Sequence, residues 1–254
     1  LLKFLKDTAA KDIDEPKYLN KSILEFPDTV VTALEKETKY LFENATFEIV
    51  AHAVNLHRHD IQSKIKPKRV ISKSKKDIEI DVRDLYSKKV KLIYGKILEY
   101  ATRAQIDLSL ENEQNQRITE LKVVNRKIVE IIRDIKELRR NVIKYSDSDN
   151  DYVREEYDKF RKRIIKVIRA IDRFKNDPNK KENYEKLLIL KENSVKNSRE
   201  GNKSINRLIR KNLISPMMAS SLVNDHDNAN NVIKKLIEVG FLLYGEKDTI
   251  LDTD

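Results

Sequence analysis

The chain has 254 residues, 52 Lys and Arg against 42 Asp and Glu, for a net charge of +10. It holds no cysteine, which excludes a disulfide scaffold and any thiolate metal site. With 39% hydrophobic residues but only four Gly and five Pro, the composition excludes default disorder and a turn-rich sheet protein, and it favours long helices. The chain opens on Leu1 with no charged-then-apolar leader, so the expectation is a segment of something longer without a signal peptide. No apolar run approaches the roughly 20 residues of a membrane span, and the segment itself is expected to be soluble.

Residues 1–25 are poorly periodic around Pro16 and read as a connector. A first long helix opens at Pro27, a proline tolerated in the first turn, and carries Val30, Val31, Leu34, Leu41, Phe42, Ala45, Ile49, Ala53 and Leu56 at helical spacing. The block Lys64, Lys66, Lys68, Arg69, Lys73, Lys75 and Lys76, which contains Pro67 and no acid, breaks the pattern. A second helix resumes through Ile78, Val82, Leu85, Val90, Ile93, Ile97 and Tyr100. A third has the near-heptad seam Ile118, Leu121, Ile128, Ile132, Ile135, Leu138 and Val142.

The turn at Asp147–Asn150 caps a fourth helix, whose inward residues are Val153, Tyr157, Phe160, Ile164, Val167, Ile168 and Ile171 and which ends at Asp177 and Pro178. Tyr184, Leu187, Leu188, Val195, Ile205, Leu208 and Ile209 outline a fifth, with Gly201 a soft spot for a kink or break. Ser215 and Pro216 read as cap and first residue of a sixth, which runs past Leu222, Ala229, Val232, Ile233, Leu236 and Leu243 to Gly245. The expectation is an all-α antiparallel bundle of about six long helices over 26–245, with approximate halves 26–145 and 146–245 and a tail at 246–254.

Two carboxylate pairs have helical spacing, Asp77 with Asp81 and Glu130 with Asp134. Each pair projects from one helix face and is able to grip a hard cation, although a chain with 37% charged residues also produces such pairs on plain solvated faces. Glu130 and Asp134 lie off the seam of Ile128, Ile132 and Ile135, so they are expected to face solvent or a partner. Asp225, His226 and Asp227 fan around the sixth helix, so at most one or two of them serve one ion. His52, His57 and His59 read as surface histidines near a helix end. No phosphate loop, nucleophile elbow or zinc-binding histidine pair occurs, which argues against an enzyme. The basic block suits either a solvated linker or contact with an anionic membrane, where each Lys or Arg contributes about 1 kcal/mol.

Two stretches carry a family resemblance. Tyr18 to Pro27 and on to Tyr40 and Leu41, with Ala33, Leu34, Glu35 and Glu37, resembles the segment that follows the last membrane span of sodium/phosphate cotransporter-family proteins. Ser215, Met217, Met218, Ala219, Ser220, Ser221, Leu222, Val223, Asn224 and Asp225, then Leu236, Ile237 and Glu238, resemble that family's closing helix. Glu130 to Asp134, and again Asp77 to Asp81, are similar to the acidic-x-x-x-Asp pattern of PhoU proteins. The resemblance implies two PhoU-like three-helix units and a regulatory domain at the cytoplasmic face of the membrane, attached to the transmembrane region of a sodium/phosphate transporter and modulating phosphate uptake without catalysis. It also implies a divalent or iron-type metal at Asp77, Asp81, Glu130, Asp134 and Asp225. Ser221 stands four before Asp225 where the pattern wants an acid, so one metal site or none is expected rather than two. A free-standing metal-binding adaptor in phosphate signalling is the alternative. A nucleic-acid-binding helical protein that uses the Lys64–Lys76 block is a weaker alternative, and nucleic acid is not expected as a partner because acids are interleaved with the bases. A homodimer is compatible with exposed helical seams.

Overall fold

The computed structural model describes residues 15–20, 26–74, 78–177 and 181–245, the side chain of Asp28 excepted. Among them there is no strand, and the chain is an all-α assembly of packed helices. α1 spans Pro27–Leu41 and passes through a π-helical turn, Phe42–Thr46, into α2, Phe47–Ala53. Two short helices follow, α3 (Arg58–Gln62) and α4 (Pro67–Lys73), then α5 (Val82–Leu85), a second π-helical turn (Tyr86–Val90) and α6 (Lys91–Asp107). The long helices are α7 (Asn112–Ser146), α8 (Asp151–Asn176), α9 (Lys181–Arg210) and α10 (Pro216–Tyr244). No described helix is long and apolar enough to cross a membrane.

Local chemistry sets the ends of these helices. Pro27 occupies the first turn of α1, and the Asn150 side chain accepts the Val153 N–H at 3.2 Å to open α8. Ser215 does the same for Met218 at 3.3 Å, with Pro216 behind it. α2 and α9 close alike: Asn55 (φ 56°) and Asn212 (φ 51°) adopt the left-handed conformation, which lets Leu56 N–H reach the Ala51 carbonyl and Leu213 N–H the Leu208 carbonyl.

Three expectations need correction. The basic block is not simply a break, because Pro67 starts α4, which buries Val70 and Ile71 and leaves Lys66, Lys68, Arg69 and Lys73 exposed. The helix after it begins at Val82 rather than Ile78, because Asp81 is extended and turns its carboxylate back onto the Asp84 N–H. Gly201 does not break α9, which runs on past it to Arg210.

By internal contacts the chain forms two compact units, and each draws on two stretches of sequence. The first gathers residues up to Ile49 and from Asp81 to Val129. α1 and α6 pack in it over Leu34, Leu41, Phe42, Ile93, Ile97 and Ala104, all fully buried. Its buried polar groups are few: Asn125 Nδ2 donates to Thr38 Oγ1 and to the Leu121 carbonyl, both at 2.8 Å. The Glu37 carboxylate accepts the Tyr18 N–H at 2.6 Å, while the Tyr18 ring meets Tyr40 edge-on. Burial holds the Glu37 carboxyl above the usual range even though the backbone of Tyr18 and Lys17 bonds it.

The second unit gathers Val50–Ile80 and the chain from Glu130 onward. α10 packs on α8 and α9, α8 packs on α9, and α3 and α4 lie against α8. Three arginines bind the carbonyls that the short helices and their connections leave open. Arg139 donates to His52 and Ile78, and Arg169 donates to Asp60 and Ile65. Arg161, 2% exposed, donates to the Val54, Asn55 and Ser74 carbonyls and to the Ser74 hydroxyl. A guanidinium carries five N–H groups in a planar fork and so satisfies several orphan carbonyls at once.

Candidate functional site

The sequence-predicted acidic residues fall into different settings. Asp77 lies outside the described residues, as do Lys75 and Lys76 of the basic block. Asp81 is the cap of α5, and residues 78–81 are not helical, so helical spacing does not put Asp77 and Asp81 on one face. Glu130 and Asp134 do share a face of α7, but it is not a solvent face. Asp134 is buried, and both carboxylates meet the Lys235 ammonium of α10, at 3.3 and 2.7 Å. The ammonium takes the place a cation would need, so this pair does not fit a metal ion as arranged.

Asp225 is also buried and accepts the Tyr157 hydroxyl proton at 2.6 Å, with Asn141 and Asn228 as further partners. Burial raises its carboxyl above the usual range against those bonds, and burial together with the adjacent carboxylate pushes the Tyr157 hydroxyl upward. Among the described residues no three His, Asp or Glu side chains are grouped to hold a metal. One of the histidines needs correction: His52 is buried, whereas His57 and His59 are exposed as expected, and the His57 backbone N–H donates to the Asp60 carboxylate at 2.9 Å where the chain enters α3.

The feature that sequence reasoning missed is a cleft of about 480 Å³ among α8, α9 and α10, within the range of small-ligand sites. α9 shows why it opens. Its inward stripe is apolar at Leu187 and again at Ile205 and Leu208, but between them it runs through Ser194, Asn197 and Gly201, side chains too small to fill the space. The apolar wall is Phe160, Val167, Leu190 and Ile233.

The α8 side of the cleft is basic. Lys159, Lys162, Arg163 and Lys166 succeed one another at three- and four-residue spacing along one helix face, so like charges stack. Lys159 is held by Glu156 at 2.6 Å, and Glu156 also accepts the Ser204 hydroxyl at 2.7 Å. Arg163 donates to the neutral side chain of Asn230 at 2.6 Å, and burial pushes its guanidinium down to about 10. Four bases against the two acids Glu156 and Glu200 leave two positive charges in excess around the cleft.

His226 of α10, 1% exposed, forms part of the lining. Asn230 Nδ2 lies 3.3 Å from its ring nitrogens and 3.1 Å from Ser198 Oγ, and the ring also bonds the backbone of Asn197. Burial and the neighbouring Arg163 hold the imidazole below its ordinary value, in its neutral form at pH 7. Gly201 makes room for this ring: a Cβ there would stand 2.2 Å from His226 Nε2. The signals that could have found the cleft are the lysine run at 159–166 and the polar gap in the α9 stripe, both visible once the two helices are known to face each other.

Comparison with protein-family models, with curated proteins and with solved structures finds no match for this chain.

Proposed function

We propose that this chain is a non-catalytic, PhoU-like helical regulatory domain that acts through protein contacts at the cytoplasmic face of the membrane, on a sodium-dependent phosphate transporter carried by the same protein. The observation that carries this reading is the resemblance of Ser215–Asp225 to the closing helix of that family, because the resembling residues are those that build α10. Ser215 caps it, Pro216 starts it, and Ala219, Leu222 and Asp225 form its buried face. The all-α architecture agrees with it.

The exposed basic face of α4, with Lys64 beside it, supplies a surface for an anionic bilayer or an acidic partner. The reading assigns no metal to Glu130 and Asp134, since the Lys235 ammonium already stands against both carboxylates. The experiment is sodium-driven phosphate uptake into vesicles by the protein with its native upstream sequence, with and without residues 26–245. Deletion is expected to change the uptake rate or its phosphate dependence while insertion is unaffected. Uptake indifferent to the deletion, or an upstream sequence without membrane segments, overturns the reading in favour of a free-standing helical adaptor.

A further inference from the structure

The cleft among α8, α9 and α10 has features that a purely structural packing defect would lack. Helix α8 stacks Lys162, Arg163 and Lys166 on one face without a carboxylate partner for any of them among the described residues. Like charges at this spacing destabilise a helix, and an anion lying among them reverses the sign of the interaction. Opposite them α9 presents the Asn197 amide, while the Ser194 hydroxyl proton is already bonded to the Lys191 carbonyl at 2.6 Å. A carboxylate, with two oxygens, uses fewer of these donors than a phosphoryl group with three. The other wall is apolar, and Phe160 and Leu190 offer a surface for a flat or hydrophobic body. The volume, about 480 Å³, exceeds what a bare phosphate ion fills and suits a nucleotide-sized molecule.

We propose that this cleft binds a small phosphate ester, with its phosphoryl group at Lys162, Arg163 and Lys166 and its organic body against Phe160, Val167 and Leu190. The proposal rests on the cleft alone and is independent of attachment to a transporter.

The test is calorimetric titration of the 254-residue chain with AMP, adenosine and inorganic phosphate as separate probes. AMP is expected to bind saturably, at least about tenfold more tightly than adenosine or inorganic phosphate, and more weakly as salt rises. The double variant Lys162→Gln/Lys166→Gln is expected to weaken AMP by about tenfold without lowering the thermal midpoint. The control Lys68→Gln/Arg69→Gln on α4 is expected to leave AMP affinity as it is. No saturable AMP binding up to about 10 mM overturns the proposal. It is equally overturned if the α4 control loses affinity while the cleft variant keeps it. Equal affinity for AMP and inorganic phosphate overturns the assignment of an ester.

Discussion

The two units solve the same problem, polar groups inside a helical core, by different means. In the first, the interior holds a carboxylate and an amide: Glu37 accepts backbone N–H groups and Asn125 bridges Thr38 and the Leu121 carbonyl. The second also buries carboxylates such as Asp134 and Asp225, but adds what the first lacks among its buried residues, guanidinium groups that donate to carbonyls from residues 52 to 78. The difference follows from what each unit must satisfy. Short helices such as α3 and α4 expose many carbonyls for their length, and only a multivalent donor serves several at once. The arginine-rich unit is also the one with the cationic cleft, so the side-chain chemistry that secures its short helices also recurs where a ligand could bind.

Removing a clamp is the strongest way to break the comparison. Arg161→Ala leaves the Val54 and Ser74 carbonyls without this donor and is expected to cost about 3 kcal/mol or more in urea unfolding. Asn125→Ala in the other unit is expected to cost only about 1–2 kcal/mol. Equal losses would mean that the guanidinium is an ordinary polar contact and that the contrast between the units is empty.

A smaller effect sharpens the account of the cleft. Gly201→Ala puts a Cβ into the His226 ring and is expected to destabilise the chain by about 1–3 kcal/mol. In the Gly201→Ala/His226→Ala double variant that cost should largely vanish, a non-additivity that thermal melts of the four proteins would reveal. Additive losses would place the strain elsewhere.

The smallest effect is in pH dependence, where Glu37 of the first unit and His226 of the second oppose each other in sign. Glu37 is raised above 4.5 in the folded state, so its contribution is fully present below that value and is lost as pH rises through the raised folded value. His226 is lowered below 6.5, so its contribution is fully present above 6.5 and is lost as pH falls from there through the lowered value. Asp225 follows the direction of Glu37. Unfolding free energies of wild type, Glu37→Gln and His226→Asn compared from about pH 4 to 8 isolate the two slopes, each no steeper than about 1.4 kcal/mol per pH unit. Difference curves without these slopes would contradict the burial argument for both groups.

Helix existence was legible in the sequence because it is a local property. The seam from Ile118 to Val142, the cap Asn150, the pair Ser215–Pro216 and the stop at Gly245 all reappear in the fold, since 3.6-residue spacing and first-turn hydrogen bonds depend on near neighbours. Helix α4 was less legible, because its apolar face is just Val70 and Ile71, too short a pattern to separate from a charged linker.

What only the tertiary structure decided is which charge meets which. Lys235 is 101 residues from Asp134 and Arg161 is 107 from Val54, so no local spacing could have paired them. The same holds for the cleft, whose polar stripe and lysine run lie on separate helices. A sequence with 37% charged residues offers many counter-ions for every group. Local periodicity therefore determined the helices, while long-range packing turned an apparent metal pair into an ion pair and a presumed helix break at Gly201 into the seat of His226.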